Sequence, residues 1–157
     1  MKKLLSLAVV ALCFSMGAAR PATEHRAQTE NIRDRFLGAW RLVWLEEPGA
    51  DRTIQKADCA GLLVYTSDGH MAVQVMYRNP PASSVNAPVQ YAQAGYEASF
   101  GRYEIGDSHT FTFHVEGALV RSLIGKDLKR VFEFSGNQLI VTSPDPNEHW
   151  KVAWEHY

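Results

Sequence analysis

Residues 100–117 consist of two segments of alternating polar and apolar residues, separated by the turn signal Gly106-Asp107-Ser108. Aromatic and β-branched residues are frequent in both segments, which favours β-strands joined as a hairpin. Similar pairs of segments flank Ser67-Asp68-Gly69 and Ser135-Gly136-Asn137. Pairs such as Asp-Gly readily adopt the backbone angles of tight hairpin turns. The chain is therefore predicted to consist of sequential antiparallel hairpins.

Eight strands are predicted in all. Two form the 100–117 hairpin, and the others cover residues 38–45, 61–66, 70–77, 128–134, 138–142 and 150–156. Sequential antiparallel strands of this number close naturally into a barrel, which removes the exposed edges of an open sheet. The predicted fold is therefore all-β, an eight-stranded antiparallel up-and-down barrel. Such a barrel is either filled by side chains or holds one small ligand.

Helical signal is limited to two places. Residues 32–37 are compatible with one helical turn before the first strand. Val89, Ala92, Tyr96 and Phe100 recur at three- and four-residue spacing, which predicts a short helix over residues 88–99 despite Gly95. This inserted helix is expected to lie by the mouth of the barrel as a lid.

The first strand has an aromatic face. Trp40, Leu42 and Trp44 are spaced by two residues, so on a regular strand their side chains point to one side. Such a stripe is ordinarily part of a hydrophobic core.

The first nineteen residues have the features of an export signal. A basic start at Met1-Lys2-Lys3 precedes an apolar run over residues 4–14 and the small residues Gly17-Ala18-Ala19. The run is shorter than the roughly 20 residues needed to cross a bilayer, so no stable membrane span is expected. We therefore expect a cleaved signal peptide over 1–19, a flexible lead-in over 20–35 and one domain over 36–157, in a periplasmic or secreted protein.

Charge and cysteine content exclude two classes of protein. The chain has 16 basic and 17 acidic residues, and loss of Lys2 and Lys3 with the leader leaves 14 against 17, or about −3. This balance argues against a basic nucleic-acid-binding face. Cys59 is the one cysteine beyond the leader, so an intrachain disulfide is not available.

The second strand of the 100–117 hairpin carries the strongest candidates for chemistry. His114 and Glu116 share a face, while Phe113 and Val115 lie on the opposite face. If the polar face lines a cavity, His114 is a candidate catalytic acid or base that Glu116 orients. If the apolar face points inward, the polar face meets water. The sequence leaves both arrangements open.

Further candidate ligand-binding residues are polar or aromatic side chains on neighbouring strands. They are Arg102, Tyr103, Glu104 and Arg130, in addition to His114 and Glu116. A guanidinium inside the barrel would receive a carboxylate or polarise a carbonyl. The alternative is a polar cluster that pairs within itself.

Neither a metal nor a cofactor is predicted. His109 and His114 are five residues apart, and His149 and His156 are seven apart, so on continuous strands the members of each pair face opposite sides. The chain has neither a phosphate-binding glycine-rich loop nor a dinucleotide fingerprint.

Several segments resemble the bacterial lipocalin-like domain family, whose relatives are the lipocalins and fatty-acid-binding proteins. The segments that carry the resemblance are residues 37–43 (LGAWRLV), 61–71 (GLLVYTSDGHM), 100–105 (FGRYEI), 114–117 (HVEG) and 152–155 (VAWE), in that order along the chain. The resemblance implies a barrel with a cavity, in which Trp40 closes one end. Residues 120–124 depart from the family's usual segment after the His-x-Glu strand. The family implies a fold more than a reaction.

Three functions are consistent with these features. The leading hypothesis is an exported protein that binds a small apolar or amphipathic molecule in its barrel. The second is a cofactor-free isomerase, cyclase or hydratase that uses the His114–Glu116 pair at the cavity wall. The third is a packed barrel that serves as an interaction module, for which a large exposed apolar patch without a cavity would be evidence.

Overall fold

The protein is described by a computed structural model over residues 31–49, 51–79 and 95–157. This part of the chain contains nine strands, one 3-10 helix at Arg121–Leu123 and a helical segment at residues 31–36. The strands are β1 (Gly38–Pro48), β2 (Ile54–Lys56), β3 (Cys59–Tyr65), β4 (His70–Tyr77), β5 (Tyr96–Ile105), β6 (Thr110–Ala118), β7 (Asp127–Ser135), β8 (Gln138–Thr142) and β9 (Lys151–His156).

Eight of these strands form a closed antiparallel barrel. Each strand from β3 to β8 pairs with the next along the chain, and β1 pairs with both β3 and β9. The short strand β2 pairs with the C-terminal end of β1, where Glu46 lies opposite Lys56. The predicted all-β, eight-stranded up-and-down barrel is therefore confirmed, with β2 as an additional strand.

The hairpin between β3 and β4 illustrates how local sequence sets the topology. Gly69 has a φ of 91°, which a residue with a side chain rarely adopts. The Thr66 hydroxyl donates a hydrogen bond to the Asp68 carboxylate and accepts one from the His70 amide at 3.1 Å. The hydrogen bond from Thr66, together with the His70 side chain 3.1 Å away, stabilises the carboxylate and lowers the pKa of Asp68 to about 2. The turn joins β3 and β4 in the antiparallel hairpin that the sequence predicted.

A bulge in β1 changes which residues point into the barrel. Pairing with β9 shifts register between Leu42 and Trp44. Trp40 is buried before the bulge, but Leu45 and Glu47 are the buried residues after it. The prediction that Trp44 shares the inner face with Trp40 is therefore wrong, because the extra residue reverses the alternation.

The last part of the predicted inserted helix over residues 88–99 is a strand in the structure. Its last four residues belong to β5, which begins at Tyr96. The preceding part, and with it the predicted lid, lies outside the described residues. The strand continues because Tyr96 to Ser99 pair with β4 from Met76 to Val73.

An aromatic cluster closes one end of the barrel. Phe36, at the end of the helical segment, is fully buried and packs against five rings at centroid distances from 4.8 to 6.1 Å; they belong to Tyr65, Tyr103, Phe111, Phe132 and Phe134. Trp40 donates its indole N–H to the Phe36 carbonyl at 2.7 Å. Arg33 donates to the Ser67 carbonyl at 2.8 Å, which ties the helical segment to the β3–β4 turn. This end of the barrel is therefore filled by side chains.

The helical turn predicted before the first strand is present at residues 31–36. The predicted leader over 1–19 lies outside the described residues. In the described ranges, none of the helical segments has the length and hydropathy needed to cross a membrane.

Candidate functional site

The apolar face of β6 points into the barrel. Phe111, Phe113 and Val115 are buried, whereas Glu116 is exposed and the His114 side chain is 37% exposed. Burial of the three apolar side chains removes their surface from water and determines which face is inside. The expectation that His114 and Glu116 line the cavity wall is therefore corrected, because both side chains lie on the outer face.

On the outer face, His114 pairs with residues other than Glu116. Its Nδ1 lies 2.7 Å from Asp127 Oδ1, and its Nε2 lies 3.8 Å from Glu104 Oε2. Arg102 is also exposed and lies opposite His114 in the strand register. These residues form a solvated, charge-paired cluster, which is the alternative that the sequence left open. Within residues 31–49, 51–79 and 95–157, no three His, Cys, Asp or Glu side chains are arranged to hold a metal ion.

Tyr103 points inward but belongs to the closed end. It is 7% exposed, stacks on Phe36 at 6.1 Å and donates its hydroxyl to the Thr66 carbonyl at 3.3 Å. Burial raises the pKa of its phenol. These contacts give Tyr103 a structural role in the aromatic cluster.

A cavity of about 420 Å³ occupies the other end of the barrel. Much of its wall is apolar, with contributions from Leu63, Val75, Phe113, Val141, Val152 and Trp154. Its polar wall residues include Glu47, Glu97, Arg130 and Glu148. An apolar interior with a few convergent polar groups is typical of small-molecule sites.

Arg130 is the predicted ligand-binding residue that the structure places in this cavity. It shares the inner face of β7 with Leu128 and Phe132, as the period of two requires. Its side chain is 16% exposed, its Nη1 lies 3.5 Å from Glu148 Oε2, and its guanidinium lies 5.1 Å from the ring centroid of Trp150. Burial lowers the pKa of the guanidinium, which the carboxylates of Glu148 and Glu97 partly offset. A group with so high an ordinary pKa stays charged at neutral pH.

Glu97 is the acidic group of the cavity that β5 contributes. It lies opposite Val75 of β4, on the same side of the strand as the buried Ser99. Desolvation raises the pKa of Glu97 to about 7, although the nearby charge of Arg130 acts in the opposite direction. The carboxyl group therefore changes protonation state near neutral pH.

Glu47 lies near the C-terminal end of β1. The bulge earlier in the strand turns its side chain inward. It is 6% exposed, and burial raises the pKa of its carboxyl group. Oε1 accepts a hydrogen bond from the Tyr77 hydroxyl. Among the described residues, Oε2 has no hydrogen-bond partner. A buried carboxylate oxygen without a hydrogen-bond donor costs free energy. Because Glu47 lines the cavity, it is a candidate for a hydrogen bond to a ligand.

Sequence reasoning missed Glu47, Glu97 and Glu148. Glu97 is two residues before Ser99 and six before Tyr103, so a strand assignment would have placed all three on one face. The inward position of Glu47 depends on the bulge, which has no local signal in the sequence. Glu148 lies in the loop between β8 and β9, where no strand period applies.

The fold and the cavity define a class of protein, a closed antiparallel barrel plugged by aromatic side chains at one end and hollow at the other. The family comparison agrees, since the lipocalin-like domain matches residues 37–155. The chain belongs to this lipocalin-like domain family, which confirms the resemblance found in the sequence.

Two further comparisons add little about function. A solved structure, that of an uncharacterized protein from Bacteroides eggerthii DSM 20697, is 12% identical. The match covers 78% of this chain and 99% of that chain, with a TM-score of 0.45. A search of curated proteins found no significant match.

Proposed function

We propose that this protein binds a small apolar or amphipathic molecule inside its barrel. The cavity of about 420 Å³ carries the proposal. Its size lies within the range of roughly 300–1,000 Å³ that is usual for ligand pockets. A ligand that enters it gains about 25 cal/mol for each Å² of apolar surface removed from water.

The cavity wall has groups that suit both parts of an amphipathic molecule. Phe113, Val141 and Trp154 provide apolar contacts for an alkyl tail. Arg130 and Glu97 provide charged groups where a polar head would lie.

The binding function would operate outside the cytoplasm. This part of the proposal rests on the predicted signal peptide over residues 1–19. Production of the full chain in a bacterial host, followed by fractionation and N-terminal sequencing, tests it. A mature N-terminus near residue 20 in the exported fraction is expected, whereas an intact Met1 in the cytoplasmic fraction would contradict export.

Binding is tested with N-phenyl-1-naphthylamine, an uncharged dye that fluoresces in apolar surroundings. Saturable binding is expected for the wild-type protein. Val141→Trp places a larger side chain in the cavity and is expected to weaken dye binding at least about tenfold, at a stability cost of about 1–3 kcal/mol. Val43→Trp is the matched control, because Val43 is 39% exposed.

Equal dye binding by the wild-type protein and the two variants would contradict a site in the barrel. Circular dichroism and thermal unfolding verify that each variant is folded before the dye affinities are compared. Dye binding that both substitutions weaken equally would also count against the cavity.

One observation argues against the hypothesis of a cofactor-free enzyme, and another supports it. The His114–Glu116 pair is on the outer face, so it does not support an isomerase, cyclase or hydratase acting in the cavity. Glu97, by contrast, has a pKa of about 7 beside Arg130, which suits a general acid or base. We therefore keep a cofactor-free enzyme as the second candidate, with Glu97 in place of His114.

Native mass spectrometry separates the two candidates. A molecule that co-purifies with the protein and remains chemically unchanged on prolonged incubation supports a carrier. Conversion of that molecule by the wild-type protein and not by Glu97→Gln supports an enzyme. The third hypothesis, a packed scaffold, lacks support because the interior is not filled by side chains.

A further inference from the structure

We propose that the cavity selects an amphiphile with a protonated amine as its head group, in preference to a carboxylate. The inference deepens the proposed function and rests on it. It concerns the charged side chains that line the cavity and Glu47 Oε2, a buried carboxylate oxygen that has no hydrogen-bond partner among the described residues.

Acidic groups outnumber cations among the described residues that line the cavity. Glu47, Glu97 and Glu148 are the carboxyl groups, and Arg130 is the one Lys or Arg side chain. His149 also lines the cavity but is exposed. The described cavity wall therefore has a net negative charge whenever the carboxyl groups are ionised.

Arg130 is already engaged. Its Nη1 lies 3.5 Å from Glu148 Oε2 and donates to the Lys129 carbonyl at 3.1 Å. Glu97 contributes a second negative charge near the same guanidinium. A carboxylate ligand would have to compete with these groups for Arg130, so the site is poorly suited to a fatty acid.

Glu47 is in the opposite situation. It is 6% exposed, and the hydroxyl of Tyr77 satisfies Oε1. Oε2 has no hydrogen-bond partner in the described part of the chain. Tyr77 is a neutral partner, so the hydrogen bond does not neutralise an ionised Glu47.

An ammonium head group supplies the hydrogen-bond donor and the positive charge that Glu47 lacks among the described residues. It carries three N–H donors and a positive charge, so it can donate to Oε2 and offset the carboxylate charge. A carboxylate head would instead add another negative charge to a poorly solvated space, where like charges repel strongly. An alcohol would supply one donor without the charge.

Decylamine, decanol and decanoate test this preference, because they share one alkyl chain and differ in the head group. Each compound competes with N-phenyl-1-naphthylamine at pH 8. Decylamine is protonated at this pH, which is also above the Glu97 pKa of about 7. We expect decylamine to bind at least about tenfold more tightly than decanoate and more tightly than decanol. A lower affinity for decylamine than for decanoate or decanol would overturn the proposal.

Glu47→Gln removes the charge while keeping the shape of the side chain. It is expected to reduce decylamine affinity about tenfold and to leave decanol affinity within about twofold. Glu46→Gln is the matched control, since Glu46 is on the neighbouring position of β1 and does not line the cavity. Equal decylamine affinities for the two variants would show that Glu47 is not the anchor.

The second acidic position provides an independent test if Glu47→Gln does not fold. Glu97→Gln is expected to weaken decylamine several-fold, with Glu104→Gln on the outer face of β5 as its control. Different experimental results would reject the proposed function and the head-group preference. Loss of the preference with intact, Val141→Trp-sensitive dye binding rejects only the amine, whereas absence of dye and decylamine binding rejects both.

Discussion

Replacement of Glu97 by glutamine should make the protein more stable at neutral and alkaline pH. The substitution removes a group that is partly buried in the cavity and keeps its shape. Desolvation raises the pKa of Glu97 from 4.5 to about 7. At about 1.4 kcal/mol per pH unit, this shift corresponds to about 3 kcal/mol.

The sign follows from proton binding. Between pH 4.5 and about 7 the folded protein holds the Glu97 proton more tightly than the unfolded chain does. The contribution of Glu97 to stability is therefore most favourable below pH 4.5 and declines as pH rises through this window. Glu97→Gln has no such decline, so the stability difference should grow to about 3 kcal/mol at pH 8 to 9.

Urea unfolding of wild-type protein and Glu97→Gln at intervals from pH 4.5 to 9 measures this difference directly. The control is Glu104→Gln, whose carboxylate is on the outer face with a side chain 79% exposed. A stability difference that does not change with pH would refute the argument that desolvation in the cavity holds Glu97 at its raised pKa.

Three further predictions concern packing and reactivity. Phe36→Ala should cost about 3–5 kcal/mol in urea unfolding, because the ring is fully buried among aromatic side chains, whereas Phe100→Ala, at a 56% exposed position, should change stability by less than about 0.5 kcal/mol; equal losses would contradict the aromatic plug. Gly101→Ala should destabilise the protein by about 1–3 kcal/mol or more, since its Cβ would lie 2.0 Å from the His114 carbonyl oxygen, and an unchanged thermal midpoint would contradict this close approach. The thiol of Cys59 is buried with its pKa raised to about 11, so in protein produced without residues 1–19, which include Cys13, it should react with Ellman's reagent at pH 8 only after unfolding, and rapid reaction of the native protein would contradict its burial.

The sequence predicted the barrel well because its strands and turns are locally determined. Asp68-Gly69 fixes one hairpin through a positive φ at Gly69, and the alternation along β7 puts Arg130 on the same face as Leu128 and Phe132. Both features depend on residues close together in the chain, so sequence pattern is sufficient to find them.

The same local reasoning failed at β1. The bulge between Leu42 and Trp44 arises from the pairing of β1 with β9, which is more than a hundred residues away in the chain. It turned Trp44 away from the core and brought Glu47 to the cavity. Contacts of this separation are not visible in the pattern of a single strand.

Glu97 was missed for a different reason. Tyr96 and Phe100 are four residues apart, a spacing that fits one face of a helix and also one face of a strand. The pairing of Tyr96 with Met76 decides in favour of the strand. For His114 the sequence left both arrangements open, because alternation along β6 defines two faces without showing which one lines a cavity.

The central claim is that the ligand lies inside the barrel, and isotope-filtered NMR of the N-phenyl-1-naphthylamine complex tests it most directly. The account predicts nuclear Overhauser contacts from the dye to the methyl groups of Val141 and Leu128, which line the cavity. Contacts confined to Val43 and Ile124, which are exposed, would contradict it and place the dye on the outer surface.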